Sequence, residues 1–311
     1  MNPRPENKVI LVTRKTRLEE LITRFNTVEQ SRFYVEHLGA DFSDYEIEHK
    51  NYQAALATVK MQLRNLSLVQ VIDRVFLPNF VFGKNDFVVV LGQDGLVANT
   101  MKYLNGQPVI AINPDLQRWE GALLPFQVKD LAKIIPDAFK NRRKLKEITM
   151  AQITLNTGQK LYGVNDLFIG PKTHTSIRYM IHIGTKEEQH SSSGIIVSTG
   201  LGSTGWFKSI LTGANGVSTA LGKPLDAIKF KDFKWNSNYL FFSVREPWPS
   251  KFSQATLIFG TITKNQPMIL TSQMPERGVI FSDGIESDFL EFNSGTRATV
   301  QIADKKGYLI I

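Results

Sequence analysis

The chain has 311 residues, 42% of them apolar and 21% charged, with a formal net charge of +8 and no cysteine. That composition supports a core of normal size in one large domain or two ordinary ones. The missing thiol excludes disulfides, thiolate metal sites and cysteine nucleophiles. The apolar run Val9 to Val12 is too short for a signal-peptide core, and no stretch approaches the roughly 18 apolar residues of a membrane span. A cytoplasmic protein with no membrane partner is the expectation. The positive excess suits nucleic acid or anionic small molecules such as ATP. Its one dense cluster, Lys140 to Lys146, lacks the interleaved aromatics that stack on bases, so it reads as a solvated linker and nucleic acid is not an expected partner.

Taken in chain order, Lys8 to Thr13 reads as a buried strand. Thr16 followed by Glu19 has capping-box spacing and opens a helix. Ala55, Val59, Leu63 and Leu66 recur at helical spacing on one face of a second helix. Asp86 to Leu91 is the short continuous apolar run of a strand buried on both faces. A helix is expected from Val97 to Leu104 and a strand from Pro108 to Ile112. This alternation argues for a parallel α/β sheet. Beyond the basic run, Ile148 to Leu155 and Gln159 to Val164 flank a hairpin turn at Asn156-Thr157-Gly158. Further strands are expected at Ser176 to Ile183, Gly194 to Ser198, Tyr239 to Val244, Thr256 to Thr261, Gly278 to Ser282 and Ala298 to Ile302, with one helix from Thr204 to Leu211. The expected fold is therefore an α/β N-terminal domain with a parallel sheet, residues 1–140, and a mostly antiparallel β-rich C-terminal domain, residues 141–311.

Four motifs carry chemistry. Gly92-Gln93-Asp94-Gly95 follows a buried strand and precedes a helix, where ligands of open α/β sheets gather. Glycines there let phosphates approach, and helix N-termini attract anions. A carboxylate among them makes sense if Asp94 accepts a proton from an attacking hydroxyl or orients it; the bland reading is an Asp-Gly turn. Ser198 to Trp206 contains Gly200, Gly202 and Gly205, a literal Gly-x-Gly-x-x-Gly. It lies in the β-rich half with no second strand of a βαβ unit, and no strand delivers Asp226 as a ribose-binding acid, so a Rossmann oxidoreductase site is disfavoured. Its amides and hydroxyls still suit a phosphate or ribose. Asn165-Asp166 can read a purine edge or ribose hydroxyls, or form a turn. Phe281 to Gly284 reads as a strand end and a tight turn. His174, His182 and His190 fit no metal spacing and read as surface residues, and Trp248, between Pro247 and Pro249, reads as a rigid loop anchor.

In this order and spacing the four motifs resemble the NAD kinase family across nearly the whole chain. Gly92 to Gly95 resembles its Gly-Gly-Asp-Gly turn, and Val109 to Asn113 the strand that follows. Asn165-Asp166 resembles its Asn-Glu pair, residues 199 to 206 its Thr-Pro-Thr-Gly-Ser-Thr-Ala-Tyr segment, and Asp283-Gly284 its late Asp-Gly. Asn113-Pro114-Asp115, Ser192-Ser193-Gly194 and Phe242 to Pro247 resemble the mitochondrial-type branch and its bacterial relatives. The departures are Gln93 for glycine, Leu96 for threonine, Asp166 for glutamate, Gly200 for proline and Trp206 for tyrosine.

The resemblance implies transfer of a phosphoryl group from ATP, with a divalent metal such as Mg2+, to the 2′-hydroxyl of the adenosine ribose of NAD, giving NADP. It implies Asp94 as the catalytic residue. Gly95, Asn165, Asp166, Ser203, Thr204, Gly205, Trp206 and Ser209 would bind NAD, and Gly92, Gln93 and Gly202 the ATP phosphates. Asn113 and Asp283 are further candidates, no side chains are assigned to a resident metal, and a homodimer or higher homo-oligomer is implied. The alternatives are a kinase of another hydroxyl substrate, a sugar or a lipid, and a catalytically degenerate nucleotide-binding protein.

Overall fold

The computed structural model describes residues 8–223 and 233–311. They divide into two compact units, Met1–Lys146 with Tyr308–Ile311 as unit 1, and Glu147–Gly307 as unit 2.

Unit 1 is built on β1 (Lys8–Thr13), β2 (Leu68–Asp73), β3 (Phe87–Leu91) and β4 (Pro108–Asn113), all parallel, in the order β2-β1-β3-β4. Apart from the edge strand β2, these are near-continuous Val/Ile/Leu runs, the pattern of a sheet covered on both faces. Around it lie α1 (Arg17–Phe25), α2 (Val28–His37), α3 (Ser43–Leu66), α4 (Asp94–Met101) and α5 (Leu131–Phe139). The Thr16–Glu19 capping box forms with both of its hydrogen bonds. On α3 the spaced residues Tyr52, Ala55, Val59 and Leu63 pack into the core with Val9, Leu11, Val89 and Ile110. The helix α4 opens at Asp94, earlier than Val97, because extended Gln93 is its N-cap and an acidic residue suits the positive end of the helix dipole. A short β5 (Phe126–Gln127) pairs with the end of β4.

Unit 2 is antiparallel. Its strands are β6 (Leu145–Leu155), β7 (Lys160–Gly163), β8 (Asp166–Pro171), β9 (Ile177–Ile183), β10 (Lys186–Ser192), β11 (Ile195–Ser198), β12 (Tyr239–Val244), β13 (Phe259–Thr263), β14 (Met268–Ser272), β15 (Gly278–Ser282), β16 (Ile285–Glu291) and β17 (Arg297–Ile310). One sheet runs β13-β12-β11-β8-β15-β16. The other face is formed by β10-β9-β14-β17, with β6 on β17 and β7 on β6. Alternate side chains of both, among them Ile153, Leu167, Ile169, Tyr179, Val197, Phe242, Leu270, Ile280 and Val300, meet in one core. The helix α6 (Trp206–Ala220) runs well past Leu211 and lays Trp206 and Ile210 on the opposite face of the first sheet, against Phe168, Ile196 and Phe281. Tyr308 and Leu309, near the end of β17, belong to unit 1 and pair there with β4.

Three local expectations are corrected. The strand expected from Thr256 starts at Phe259, because the Thr256 and Leu257 amides donate to the Glu188 carboxylate instead of a strand partner. His190 is buried, with Nε2 on Glu188 at 2.9 Å and its ring beside Tyr179. Trp248 is 68% exposed, so its loop is held not by that ring but by backbone, its N–H donating to the Ser191 carbonyl at 2.8 Å. Among the described residues no helix is long and apolar enough to cross a membrane.

Candidate active site

In unit 1, β3 delivers the chain to Gly92 at the carboxyl edge of the sheet. A Cβ on Gly92 would lie 2.7 Å from Cδ2 of Leu96, so the buried leucine fills the space over the turn. Gln93 has φ −107 and ψ 167, an extended conformation open to any residue, and its side chain makes no cap hydrogen bond. Asp94 is half-buried at the first helical position. Its Oδ1 accepts the Leu123 N–H at 2.6 Å, and that is the one hydrogen bond of the carboxylate among the described residues. At Gly95 an added Cβ would meet nothing within 4 Å. Asn113 ends β4 with both halves of its amide engaged. Nδ2 donates to the Trp119 carbonyl at 2.9 Å, and Oδ1 accepts the Asp115 N–H at 2.9 Å. It therefore shapes the loop that carries Leu123.

In unit 2 the β15–β16 turn is the organiser. Asp283 and Gly284 both have positive φ, 55 and 70, as a two-residue hairpin turn requires. The Asp283 carboxylate reaches back across the sheet and accepts the N–H groups of Val164 at 3.0 Å, Asn165 at 2.6 Å and Asp166 at 3.3 Å. The same stretch is gripped from the other side. The Thr199 hydroxyl donates to the Val164 carbonyl at 2.6 Å, its N–H donates to Asn165 at 2.9 Å, and its oxygen accepts the Gly202 N–H at 3.2 Å. Backbones pass so closely here that a Cβ on Gly202 would lie 2.0 Å from the Asn165 carbonyl oxygen. Ser203 Oγ donates to the Gly200 carbonyl at 2.7 Å.

These clamps leave the Asn165 amide and the Asp166 carboxylate with no hydrogen bond of their own among the described residues. Asp166 is only 8% exposed. Burial, and secondly the negative charge of Asp283, push its carboxyl up to about 7.

The structure thus gathers Asn165, Asp166, Gly202, Ser203 and Asp283 in unit 2, and Gly92, Gln93, Asp94, Gly95 and the Asn113 loop in unit 1. Thr204 and Gly205 are exposed at the head of α6, and Ser209 is exposed one turn on, its N–H donating to the Gly205 carbonyl at 3.3 Å. Trp206 is turned onto Phe168, with ring centroids 5.6 Å apart, and Arg245 lies over it at 5.4 Å. Asp226 lies outside the described residues. Sequence reasoning missed two contributors, Leu123 and Thr199. Leu123 acts through its backbone N–H, which no side-chain motif marks; Thr199 was visible as the hydroxyl residue that opens the glycine segment. Among the described residues no group of three or more His, Asp or Glu side chains forms a metal cage.

No protein-family model matches the chain. It is 30% identical over 162 residues to an NAD kinase of Borreliella burgdorferi, and 29% identical over 165 residues to an NAD kinase of Borrelia garinii subsp. bavariensis. Each match covers 48% of this chain and 57% of the relative, so the chain spans just over half the length of the curated relatives it matches. Among solved structures it is similar to an NAD kinase from Archaeoglobus fulgidus in complex with ATP, with TM-score 0.54, 13% identity and coverage of 98% of this chain and 93% of that one. It is also similar to yeast NADH kinase complexed with NADH, with TM-score 0.56, 15% identity and coverage of 97% and 83%. At those identities the likeness is one of fold: an α/β unit with a parallel sheet and an antiparallel β-rich unit, the two-domain fold of NAD kinases.

Proposed function

We propose that this protein is an NAD kinase, which transfers the γ-phosphoryl group of magnesium-bound ATP to the 2′-hydroxyl of the adenosine ribose of NAD. The observation that carries the reading is the Asp94 carboxylate, set at the head of α4 at the carboxyl edge of a parallel sheet. One of its oxygens is held by the Leu123 amide at 2.6 Å and the other takes no protein hydrogen bond among the described residues. A base so oriented needs only an acceptor hydroxyl beside its second oxygen. The likeness to NAD kinases in sequence and fold supports the identity of that acceptor.

In this reading Asp94 Oδ2 takes the proton of the 2′-hydroxyl. The oxygen attacks the γ-phosphorus, and the bond to the β–γ bridging oxygen breaks, its electron pair leaving with ADP. Magnesium bound to the ATP substrate would supply neutralisation of the donor phosphates. The amides of Gln93, Asp94 and Gly95 at the head of α4, and that of Ser203, would be the donors for phosphate oxygens, since the Gly92 and Gly202 N–H groups are spent on Ile112 and Thr199. Asn165 offers a donor and an acceptor to the dinucleotide. Asp166, with its carboxyl near 7, can accept from a ribose hydroxyl when ionised and donate when protonated. Gly95, Thr204, Gly205 and Ser209 complete the dinucleotide contacts, and Trp206 backs them from the sheet side. The closer resemblance to the mitochondrial-type branch and assembly as a homodimer belong to the same proposal.

The extended backbone at Gln93 supports a working kinase over a degenerate one, since a side chain there costs no left-handed strain. The test is incubation of purified protein with ATP, magnesium and either NAD or NADH, with NADP or NADPH measured. Consumption of a sugar or lipid while both dinucleotides stay unphosphorylated would transfer the reading to another hydroxyl substrate.

A further inference from the structure

The loop that holds Asp94 is itself held by an ion network centred on the N-terminal turns of α3. Asp44 lies in the first turn of α3, and Arg118 lies in the loop between β4 and Leu123. Arg118 Nη1 donates to Asp44 Oδ2 at 3.2 Å, and Nη2 donates to both Asp44 Oδ1 and the Asp44 carbonyl. Arg17 Nη2 shares Asp44 Oδ2 at 2.6 Å, and its Nε reaches Glu48 at 2.8 Å. Buried Glu48 in turn binds Arg14, just past the end of β1, at 2.8 Å. Asn51, on the same face of α3 as Asp44 and Glu48, donates to Asp115 at 3.0 Å. Within the loop, Asn113 fixes Trp119, the Trp119 N–H donates to the Asp115 carbonyl at 3.1 Å, and the Leu124 N–H donates to the Gly121 carbonyl at 2.9 Å. Through these links the loop that carries the Leu123 N–H is tied to the N-terminal half of α3 at two points, Arg118 on Asp44 and Asp115 on Asn51.

We infer that Arg118 is a positioning residue for phosphoryl transfer: pinned by Asp44, it sets the loop whose Leu123 amide orients Asp94. This rests on the reading of Asp94 as the base. The first hydrogen bonds of the network, from Arg118 and then Arg17, hold the Asp44 carboxyl well below the usual carboxylate range, so the pin stays charged throughout the working pH range.

The test compares wild type with Arg118→Ala, Arg118→Lys and Asp44→Asn, by steady-state kinetics with NAD and magnesium ATP and by hydrogen exchange at the Leu123 amide. Because misplacing a reacting group by about 1 Å can cost about 100-fold in rate, Arg118→Ala is expected to lower kcat about ten-fold or more. KM for NAD and for ATP should stay within about two-fold, and Leu123 should exchange faster. Arg118→Lys keeps the charge and should recover part of kcat. Asp44→Asn should behave as Arg118→Ala does, and it carries the test if the alanine variant does not fold. Unchanged Leu123 exchange, or unchanged kcat in an active enzyme, overturns the inference. A wild-type protein that phosphorylates neither NAD nor NADH overturns the functional reading instead.

Discussion

Asp283 Oδ1 accepts the N–H of Asn165 at 2.6 Å although the two residues are 118 positions apart in the chain. A hairpin turn on one strand pair therefore fixes the strand edge that presents Asn165 and Asp166. Replacing Asp283 by Ala would leave the N–H groups of Val164, Asn165 and Asp166 without their acceptor. Hydrogen bonds to a charged group contribute about 1.5–3 kcal/mol each and do not add simply. Asp283→Ala should cost about 2–4 kcal/mol of stability by that scale and weaken NAD binding, checked by thermal unfolding and calorimetric titration. Asn165→Ala is the contrasting case: it should lower NAD affinity with little change in unfolding temperature, since its side chain makes no hydrogen bond among the described residues.

Two glycines of the proposed site should respond in opposite ways. At Gly202 a Cβ would lie 2.0 Å from the Asn165 carbonyl oxygen, whereas at Gly95 it would meet nothing within 4 Å. Backbone cannot yield as a flexible side chain does, so Gly202→Ala should destabilise by several kcal/mol or prevent folding. Gly95→Ala, in the first turn of a helix, should stabilise by up to about 1 kcal/mol. If phosphates approach the α4 turn, Gly95→Ala should still lose activity. Unfolding midpoints and initial rates of both variants read this out.

Three strands of the parallel sheet, β1, β3 and β4, were legible because they are unbroken apolar runs, and the capping box of α1 because its two partners are local in sequence; the edge strand β2, interrupted by Gln70 and mostly unburied, was not. The polar edge strands β10 and β16 were not, since their outward residues, such as Glu187 and Glu286, need no burial. The strand β8 was hidden because Asn165-Asp166 reads as a turn. Only the Asp283 carboxylate, distant in sequence, shows why the turn ends there and a buried strand begins. The side chains of the proposed site were named from motifs. The Leu123 amide that holds Asp94, and the Asp44–Arg118 pair that holds the same loop, are tertiary contacts and leave no local pattern.

Asp166 should make stability depend on pH. Its folded-state carboxyl is raised to about 7, from 3.8, by burial and by Asp283. Below the lower value it is protonated in both folded and unfolded chains and contributes nothing. As pH rises between the two, the folded chain binds more protons than the unfolded one, so stability falls, and the loss is complete above about 7. Asp166→Asn removes the charge with little change of shape. Its gain in unfolding temperature should therefore be small near pH 4, grow through pH 5 to 7 and level off at pH 8, with a ceiling of a few kcal/mol. A gain independent of pH would show that Asp166 does not titrate in that window.

Asp94→Asn should leave the protein folded and remove nearly all turnover. The side chains match in shape, so the Leu123 N–H keeps an oxygen acceptor at Asp94 Oδ1. What is lost is the basic oxygen, and loss of a general base costs about 100-fold or more in rate. Steady-state rates beside an unfolding curve decide the matter, and a folded variant with near-normal turnover would remove Asp94 from that role.

Gln93 departs from the glycine of the Gly-Gly-Asp-Gly turn that this segment resembles, and its extended backbone is open to any residue without strain. Gln93→Gly should accordingly bring no relief in stability. Its position as an N-cap without a side-chain hydrogen bond suggests a sharper experiment. A serine there would accept an N–H from the first turn, a cap that contributes about 1 kcal/mol. In a protein of this size that is a rise of about 2–4 °C in Tm. The same first-turn amides are the ones proposed to meet donor phosphates, so the new hydroxyl would compete with ATP for them. Gln93→Ser should then raise Tm while raising KM for ATP several-fold, with kcat at saturating ATP nearly unchanged. Thermal unfolding and initial rates across an ATP series measure both effects. A higher Tm with an unaltered KM would place the donor phosphates away from the head of α4.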